Sequence, residues 1–420
     1  MNIKLHQSQT NQKSEIKVTG SKSETNRLLL LQALFPNISL ENTSNSDDSE
    51  VMTKVLQNSQ LSTPNSQLYD IHHAGTAMRF LTAYFATKEN SDVIINGSPR
   101  MKERPIKILV EALQQLGAEI TYEENHGFPP IKIKGKKLSG SKVSLPADVS
   151  SQYISALLLI APKLENGLEL TLEGKITSIP YIKMTLALLQ EIGVETIFDG
   201  NKITVSPLLE IPPSGVRGLV ESDWSSASYF YSIVALSEIG TEIKLSSYKE
   251  NSLQGDSVLA EIYKDLGVET KFENNQIILS KSGNTNLQSA ILDLNQAPDI
   301  AQTIAVTCFG LGIGCHLTEL HTLKIKETDR LEALQIELEK LGAAISVTND
   351  SLTLEISSIT HRGVAINTYN DHRMAMAFAP LALITDITIN DAEVVSKSFP
   401  DFWDDLEQIG FKIEKQQEVQ

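Results

Sequence analysis

Hydrophobic and polar positions follow one repeated order along this chain: an amphipathic helix, a glycine and then an alternating strand. In one copy, Leu109, Leu113 and Leu116 recur three or four residues apart, which is the spacing of one helix face. Gly117 follows, and from Ile120 the apolar and polar residues alternate as they do in a half-buried strand. The pattern therefore predicts a helix that ends near Gly117 and a strand that begins near Ile120.

The same order returns along the chain with one glycine in each copy. The five glycines are Gly117, Gly193, Gly267, Gly342 and Gly410. Successive glycines are 76, 74, 75 and 68 positions apart. Because glycine readily takes the left-handed backbone that ends a helix, each copy is predicted to be one subdomain. Six units of about 70 residues would fill the chain. The first lacks the Leu-Gly signature, and its polar residues near 56–69 predict an irregular loop.

Helices that alternate with strands predict an α/β fold. The six units divide naturally into three plus three, with a boundary near Ser222 after the Pro- and Gly-containing stretch 212–215. A strand at 15–18 is free to pair with the second half. We therefore predict one domain at 21–222 and a discontinuous domain formed by 1–20 and 223–420.

Composition narrows the classes of function. Of the 420 residues, 41% are hydrophobic and 21% are charged, so a large core can form. The formal net charge of −16 argues against nucleic acid or an anionic membrane as a partner. No apolar run approaches the roughly 18 residues of a membrane span. Residues 1–20 lack the features of a secretory signal or transit peptide, so a cytoplasmic protein is predicted.

Two cysteines are too few for a disulfide framework or a zinc site. Cys308 and Cys315 lie in one apolar, glycine-containing stretch. Free cysteines in such surroundings are usually buried and reduced, and that is the prediction here.

Small polar and basic residues cluster where helices are predicted to begin. The segment 20–27 carries Lys22 and Arg27 ahead of an apolar run, and Gly75 would let a ligand approach the backbone of another helix start. Because helix N-termini offer free N–H groups and a positive dipole end, these segments could bind phosphate or carboxylate. Each segment alone is equally well explained as a helix cap or a solvated charged face.

Further segments of the same kind follow along the chain. They are 74–79, 100–105, 150–153, 326–330, 369–373 and Lys397. Pro105 is predicted in a first helical turn. Lys326 and Arg330 are four residues apart and are predicted on one helical face. Asp299 and Glu327 are acid/base candidates. The segment 223–228 is interpreted as a structural repeat of 150–153.

Taken in order, these motifs resemble the 5-enolpyruvylshikimate-3-phosphate synthase family over nearly the whole chain. The segments that carry the resemblance are Gly20-Ser21-Lys22-Ser23 with Asn26-Arg27, Ala74-Gly75-Thr76-Ala77-Met78-Arg79, Pro99-Arg100-Met101-Lys102-Glu103-Arg104-Pro105, Ser150-Ser151-Gln152, Asn251-Ser252-Leu253-Gln254-Gly255-Asp256, Lys326-Glu327-Thr328-Asp329-Arg330 and Asn370-Asp371-His372-Arg373. The resemblance implies two similar domains, each with three βαβαββ-type units, helices inside and sheets outside, and a substrate cleft between them. It also implies transfer of an enolpyruvyl group in the shikimate pathway to chorismate and aromatic amino acids.

The resemblance assigns site residues by position. For phosphoenolpyruvate it implies Lys22, Gly75, Arg104, Gln152, Arg330, Arg373 and Lys397. For shikimate 3-phosphate it implies Lys22, Ser23, Arg27, Ser150, Ser151, Gln152, Ser178, Tyr181, Asp299, Thr322 and Lys326. Supporting roles fall to Asp48, Arg79 and His372. Lysine and arginine suit these substrates, since both carry a phosphate and a carboxylate.

The implied chemistry needs one proton acceptor and one proton donor. Asp299 is assigned to the hydroxyl of the acceptor substrate and Glu327 to C3 of phosphoenolpyruvate, while Lys22 could shuttle protons or stabilise charge. Neither a metal nor an organic cofactor is expected. The Asp299→Ala and Glu327→Gln substitutions are expected to lower turnover far more than substrate binding.

Several positions depart from the family pattern. His73 and Phe80 flank the Gly75 segment where Asn and Pro are usual, and Thr322 replaces an Asn, which puts that substrate contact in doubt. The segment 222–224 also differs. Gly75 itself is retained, so glyphosate is expected to compete with phosphoenolpyruvate, although its potency is not fixed by these residues.

The sequence has two alternative interpretations. A related UDP-N-acetylglucosamine enolpyruvyl transferase usually carries a reactive cysteine in a loop comparable to 98–105, which has none here. A non-catalytic protein on the same fold should have lost some charged ligands, and none is missing. A monomer is expected.

Overall fold

The computed structural model describes residues 1–60, 66–147, 150–176, 179–208, 217–283, 285 and 287–416. The chain divides into two compact units. Met1–Thr19 and Glu221–Gln420 form the discontinuous unit, and Gly20–Val220 forms the continuous unit. Each unit is described by itself below.

The elements alternate between helix and strand throughout the described chain. The strands are β1 (Asn2–His6), β2 (Lys13–Ile16), β3 (Ser39–Glu41), β4 (Gln67–Asp70), β5 (Asp92–Asn96), β6 (Glu119–Tyr122), β7 (Ile131–Lys134), β8 (Lys142–Pro146), β9 (Leu168–Glu173), β10 (Thr196–Asp199), β11 (Lys202–Val205), β12 (Arg217–Leu219), β13 (Glu242–Ser246), β14 (Val268–Glu273), β15 (Gln276–Lys281), β16 (Ser289–Asp293), β17 (Gly314–Thr318), β18 (Ile345–Val347), β19 (Leu352–Leu354), β20 (Val364–Ile366), β21 (Ile387–Ile389) and β22 (Lys412–Gln416). The helices are α1 (Lys22–Leu34), α2 (Asp47–Ser59), α3 (Gly75–Thr87), α4 (Pro99–Lys102), α5 (Lys107–Gln115), α6 (Ser151–Ile160), α7 (Ile179–Glu191), α8 (Trp224–Leu236), α9 (Leu259–Asp265), α10 (Ala301–Leu311), α11 (Arg330–Leu341), α12 (His372–Phe378) and α13 (Phe402–Gln408).

One strand order recurs in the four-stranded sheets of both units. Two strands pair in parallel, and the second of them also pairs with one strand of a further antiparallel pair. This further pair is a hairpin in every one of these sheets except the one that contains β1 and β22, which are far apart in the sequence. The sheets with this order are β4-β5-β7-β6 and β8-β9-β11-β10 in the continuous unit, and β2-β13-β15-β14, β16-β17-β19-β18 and β20-β21-β1-β22 in the discontinuous unit. The repeat predicted from the sequence is therefore a repeat of topology.

The N-terminal strands complete two sheets of the discontinuous unit. β2 takes the first place in its sheet and pairs in parallel with β13. β1 lies between β21 and β22 and is antiparallel to both. These pairings explain why the first residues of the chain belong to the same unit as its last two hundred or so.

The helix-ending glycines have the conformation that their position predicts. The five glycines each follow the last helix of a subdomain and all have φ between +85° and +113°; they are Gly117, Gly193, Gly267, Gly342 and Gly410. Only glycine takes this left-handed backbone without a steric penalty, so the prediction of five C-terminal glycine caps is confirmed.

Each unit buries its first helices and exposes one face of its sheets. Every residue of α3 except Thr87 is buried, and α6 is buried from Tyr153 to its end. In the continuous unit α3 packs against both α1 and α6, and in the discontinuous unit α10 packs against both α8 and α12. Strands such as β5 alternate between buried and half-buried residues. The predicted α/β fold, with helices inside and sheets outside, is confirmed within each unit.

The subdomain that contains α1 departs from the common order. Within the described residues its sheet has two strands, β3 and β12, which pair in parallel. The irregular loop predicted near 56–69 is narrower, because α2 continues to Ser59 and β4 begins at Gln67. The intervening residues 61–65 lie outside the described part of the chain.

The structure also bears on two further predictions from the sequence, which concern the cysteines and membrane-spanning helices. Cys308 and Cys315 are both buried and neither forms a disulfide, as predicted. Among the described helices, none combines the length and apolar character needed to cross a membrane.

Candidate functional site

The first turns of the buried helices hold most of the predicted site residues. α1 begins at Lys22, α3 at Gly75 and α6 at Ser151 in the continuous unit. In the discontinuous unit α12 begins at His372, and Asp299 lies one turn before the start of α10. The helix starts thus supply two groups of charged residues, one in each unit. Lys22, Arg27, Arg79 and Arg104 are called the basic cluster, and Asp299, Lys326, Glu327, Arg330, Asp371 and Arg373 the mixed-charge cluster.

Arg27 is a buried cation with uncharged hydrogen-bond partners. Its guanidinium donates to Thr185 Oγ1 at 2.8 Å, to the Ser23 carbonyl at 2.7 Å and to Ser155 Oγ at 2.9 Å. The rings of Phe80 and Tyr181 lie 5.5 and 5.8 Å from it. Burial lowers the pKa of Arg27 to about 10, which leaves it charged at neutral pH. Phe80, one of the departures from the family pattern, therefore contacts a predicted substrate-binding residue.

Arg79 is a second buried cation, and it binds backbone oxygens. It donates to the carbonyl of Gly75 and to that of Pro105, each at 3.1 Å. Burial, followed by the neighbouring charge of Arg104, lowers the pKa of Arg79 to about 10. Two arginines that repel each other are thus held together at the start of α3, a place that favours an anion.

The guanidinium of Arg104 lies directly against Gly75. A Cβ atom built on Gly75 would lie 2.6 Å from Arg104 Nη1 and 3.0 Å from Cζ, so any side chain there would displace the guanidinium. Within the described part of the chain, no side chain or backbone group forms a hydrogen bond or ion pair with this guanidinium. A half-exposed cation at a helix start, without a protein anion among the described residues, can bind a ligand's phosphate or carboxylate.

The remaining predicted residues of the continuous unit lie around the same helix starts. Lys22 Nζ is 3.7 Å from Asp48 Oδ2, and the Gln152 amide donates to Thr76 Oγ1 at 3.2 Å. Ser150 caps α6 and accepts from the Gln152 N–H at 3.4 Å, as the capping alternative predicts. Ser178, predicted to bind shikimate 3-phosphate, lies outside the described residues.

Arg330 is the centre of the mixed-charge cluster. Its guanidinium donates to Asp371 Oδ2 at 2.7 Å, to Asp299 Oδ1 at 2.9 Å and to Glu327 Oε2 at 2.8 Å. The side chain is only 2% exposed and that of Asp371 is fully buried. Burial would lower the pKa of Arg330, but the charges of Asp371, Glu327 and Asp299 outweigh it and raise the pKa above its ordinary value. A substrate anion could bind Arg330 only by sharing it with these carboxylates.

Asp299 is surrounded by three cations. Its carboxylate lies 2.9 Å from Arg330, 3.3 Å from Lys326 and 3.4 Å from Arg373. Burial would raise the pKa of Asp299, but the charges of Lys326, Arg373 and Arg330 overcome it and hold the pKa far below its ordinary value. Asp299 is therefore ionised, and without substrate it is a weak base.

Arg373 connects the cluster to a further carboxylate. Its Nη1 donates to the Asp299 carbonyl at 3.1 Å and its Nη2 to Ser225 Oγ at 3.2 Å. Ser225 in turn donates to the buried carboxylate of Asp256. Lys397 donates to the Asn370 carbonyl at 2.6 Å, which places its ammonium beside the segment that leads into α12.

Asp256 should make stability depend on pH. Burial, and then the charge of Asp299, raises the pKa of Asp256 from 3.8 to about 6. The folded protein therefore holds this proton up to about pH 6, whereas the unfolded chain releases it near pH 4. The contribution to the free energy of unfolding is complete below pH 4 and falls by about 3 kcal/mol as the pH rises through 6.

Urea unfolding at several pH values should show this effect as a difference between variants. The free energy of unfolding of Asp256→Asn, minus that of the unsubstituted protein, should rise by about 3 kcal/mol between pH 4 and pH 7. The same change at Asp265, an exposed residue of the same region, is the control. If the difference for Asp256→Asn depends on pH no more than the difference for this control, Asp256 is ionised in the folded state throughout this range.

Two local expectations about helix starts are wrong. Lys326 and Arg330 do not share a helical face, because α11 begins at Arg330 and Asp329 caps it by accepting from the Leu331 and Glu332 N–H groups. Both side chains nevertheless reach Asp299. Pro105 is not in a first helical turn either, since α5 begins at Lys107 after the N-cap Ile106.

Thr322 and His372 have buried positions beside these helix starts. The Thr322 hydroxyl is buried in a short 3₁₀ helix, His321–Ile325, and has no hydrogen-bond partner among the described residues. His372 is buried in the first turn of α12, with Nδ1 3.9 Å from Asp371 Oδ1.

No site role was assigned from the sequence to Tyr153, Ser225 or Asp256, although the first two lie within the segments 150–153 and 223–228. Tyr153 follows Gln152 directly, and its hydroxyl donates to the carbonyl of Pro105 at 2.5 Å. Asp256 ends one of the segments that carry the family resemblance. The available signal was adjacency to a motif, whereas the contacts themselves join segments far apart in the sequence.

Comparison with known proteins gives consistent matches at family and whole-chain level. The family model for EPSP synthase (3-phosphoshikimate 1-carboxyvinyltransferase) matches residues 35–406. A 3-phosphoshikimate 1-carboxyvinyltransferase from Bacteroides fragilis is 45% identical over 406 residues, which is 96% of each chain. One from Photobacterium damsela subsp. piscicida is 38% identical and covers 94% of this chain and 96% of its own.

Solved structures share the fold at much lower identity. EPSP synthase from Acinetobacter baumannii has a TM-score of 0.78 at 21% identity, over 99% of this chain and 100% of its own. The enolpyruvyl transferase NikO from Streptomyces tendae has a TM-score of 0.74 at 12% identity, over 98% of each chain. At these identities the likeness concerns the fold alone.

Proposed function

This chain belongs to the EPSP synthase family, and we therefore propose that it transfers the enolpyruvyl group of phosphoenolpyruvate to the 5-hydroxyl of shikimate 3-phosphate. The products are 5-enolpyruvylshikimate 3-phosphate and phosphate. The observation that best supports the proposal is the different charge balance of the two clusters. The basic cluster presents arginines with uncharged partners, whereas the mixed-charge cluster places carboxylates among its cations.

The reaction conserves atoms and electrons without a cofactor. The hydroxyl oxygen attacks C2 of phosphoenolpyruvate and gives its proton to a base, while C3 accepts a proton from an acid. In the resulting tetrahedral intermediate, the bond from C2 to the phosphate oxygen breaks and a proton leaves C3, which restores the double bond. The hydroxyl proton finally leaves with phosphate. Residue side chains suffice for every proton movement.

Residues at the helix starts are proposed to bind the charged groups of both substrates. Phosphoenolpyruvate is assigned to Lys22, Gly75, Arg104, Gln152, Arg330, Arg373 and Lys397. Shikimate 3-phosphate is assigned to Lys22, Ser23, Arg27, Ser150, Ser151, Gln152, Ser178, Tyr181, Asp299, Thr322 and Lys326. Bidentate arginines and point-charge lysines match phosphate and carboxylate groups in both lists. Arg27 contributes mainly through its charge and by holding the Ser23 carbonyl, because four of the five N–H groups of its guanidinium already donate to protein oxygens.

The proton-transfer roles follow from chemistry and contacts. Asp299 accepts the hydroxyl proton, and Glu327 gives a proton to C3 and later removes one. Lys22, 3.7 Å from Asp48, is the third candidate for moving a proton or stabilising charge. The protein is further proposed to be a cytoplasmic monomer that needs no metal or organic cofactor.

Phosphate release tests the proposed reaction directly. Purified protein is supplied with phosphoenolpyruvate plus shikimate 3-phosphate, and in parallel with phosphoenolpyruvate plus UDP-N-acetylglucosamine. Release in the first reaction alone is the expected result. Release only with the nucleotide sugar would overturn the substrate but retain the transfer chemistry. Binding of phosphoenolpyruvate without release in either reaction would support a non-catalytic protein.

Glyphosate should inhibit in competition with phosphoenolpyruvate. It carries a phosphonate and a carboxylate, which match the groups assigned to Arg104 and its neighbours, and the absence of a Cβ on Gly75 leaves room for that guanidinium. Initial rates at several phosphoenolpyruvate concentrations should show an apparent KM that rises with glyphosate while the maximal rate stays constant. Inhibition that does not depend on phosphoenolpyruvate concentration would contradict this expectation.

A further inference from the structure

We propose that Tyr153 is a positioning residue that fixes Arg104 for the phosphoenolpyruvate anion by holding the carbonyl of Pro105. Tyr153 contacts neither Arg104 nor, on this proposal, the substrate. The inference rests on the proposed function only in taking phosphoenolpyruvate as the ligand of Arg104.

Two donors from two different helices hold the Pro105 carbonyl. The Tyr153 hydroxyl of α6 donates to it at 2.5 Å, and Arg79 Nη2 of α3 donates at 3.1 Å. Proline has no N–H, so this carbonyl is the residue's only backbone hydrogen-bonding group. The Tyr153 side chain is 5% exposed, and its ring lies 5.8 Å from the Arg79 guanidinium. The backbone immediately after Arg104 is therefore tied to both helices.

Fixing Pro105 also fixes the backbone of Arg104. A proline restricts the residue before it to extended conformations, because its ring collides with that residue in the helical region. The Arg104 N–H donates to the Met101 carbonyl at 3.1 Å, and the Ile106 N–H donates to the Gly127 carbonyl at 2.9 Å. Ile106 is fully buried, so the far side of Pro105 is anchored as well.

The charge of Arg79 makes this anchor necessary. Arg79 lies close enough to Arg104 for the positive charge of Arg104 to lower its pKa. Among the described residues no carboxylate pairs with Arg104, so repulsion favours movement of its side chain away from Gly75. Arg79 itself binds the carbonyls of Gly75 and Pro105, and Tyr153 supplies the only other described hydrogen bond to the Pro105 carbonyl. Loss of the Tyr153 bond should therefore let Arg104 sample positions in which it cannot hold the ligand.

The Tyr153→Phe substitution tests the proposal, and Tyr84→Phe is its matched control. Tyr84 is also 5% exposed, lies in the same unit, and its hydroxyl shares a hydrogen bond with Ser59 Oγ at 3.2 Å. Each substitution removes one hydroxyl and its hydrogen bond, so both should lower the melting temperature by a similar amount. Tyr153→Phe should raise KM and Kd for phosphoenolpyruvate about fivefold, the equivalent of one neutral hydrogen bond. Its kcat, its KM for shikimate 3-phosphate and all constants of Tyr84→Phe should stay unchanged.

Two readouts separate this inference from the proposed function. Kd for phosphoenolpyruvate is measured by phosphorus NMR titration, and KM and kcat by phosphate release. Weaker binding by Tyr153→Phe alone supports the inference even if the unsubstituted protein has no turnover, in which case only the proposed reaction fails. Equal constants for the two variants would overturn the inference while leaving the reaction in place. An unsubstituted protein that shows neither binding of phosphoenolpyruvate nor phosphate release would overturn both.

Discussion

Replacing Asp299 with Asn should lower kcat by at least about 100-fold while KM for both substrates changes less than about threefold. The change keeps the size of the side chain and removes its ability to take the hydroxyl proton. In the protein without substrate, three cations hold the pKa of Asp299 far below its ordinary value. A phosphate or carboxylate that shares Arg330 and Arg373 would weaken their effect on Asp299. We therefore expect Asp299 to gain basicity only when phosphoenolpyruvate is bound.

Steady-state phosphate release distinguishes proton transfer from positioning. Asp293→Asn is the matched control, since Asp293 is an exposed residue at the end of β16 in the same segment of chain. A rise in KM with an unchanged kcat would mean that Asp299 only orients Arg330 and Arg373. Glu327→Gln should also lower kcat more than it raises KM, because it removes the C3 proton donor. Unchanged turnover in both variants would refute the assigned roles.

The Asp371→Asn substitution should lower the free energy of unfolding of the discontinuous unit by about 3 kcal/mol. Asp371 is fully buried and accepts from Arg330 Nε at 2.7 Å, so neutralising it leaves part of a buried charge uncompensated. The loss of unfolding free energy should lie at the lower end of the range that is typical when one partner of a buried ion pair is removed, because Asp299 and Glu327 still bind Arg330. The side-chain oxygen of asparagine can still accept the hydrogen bond from the Arg373 N–H that caps α12. The substitution therefore changes mainly the charge beside Arg330.

Tryptophan fluorescence can follow this loss in one unit. The chain has two tryptophans, Trp224 and Trp403, and both belong to the discontinuous unit. The control is Glu273→Gln, which breaks an exposed pair with Lys271 at 2.9 Å and should leave the urea unfolding midpoint nearly unchanged. If urea unfolding midpoints shift equally for both variants, burial does not determine the strength of the Arg330 pair.

The repeated fold was predictable because its signals are local. Helical periodicity before Gly117, the glycine itself and the alternation after it all lie within about 15 residues, a length over which sequence patterns are informative. The structure gives this glycine φ of +97° and the following strand β6 the expected alternation. The strand order, in contrast, depends on pairing between distant segments such as β2 and β13. The sequence indicated a recurring topology only because the helix–glycine–strand pattern itself recurs.

The candidate site was predictable as a set of helix starts but not as a set of contacts. The composition of predicted helix starts pointed to Lys22 and Gly75, and the family resemblance assigned Arg104, which lies between α4 and α5. The partners of Arg330, in contrast, come from three separate segments. The error at Lys326 had a local cause, because Asp329 is a strong N-cap residue and marks Arg330 as the first helical position. No sequence signal indicated that Arg79 would be buried with the backbone oxygens of Gly75 and Pro105 and the sulfur of Met101 as its hydrogen-bond partners.

The position of β1 and β2 imposes an order on synthesis and folding. The chain emerges from the ribosome N-terminus first, and the continuous unit is complete before β13, the partner of β2, has been made. Ribosomes add about 5–20 residues per second, so the roughly 200 residues between β2 and β13 correspond to tens of seconds with an unpaired strand. β1 remains unpaired for longer still, because its neighbours β21 and β22 are made long after β13. The nascent protein thus exposes two strands that can pair wrongly, and the sheet that contains β1 closes only after β22 has been made.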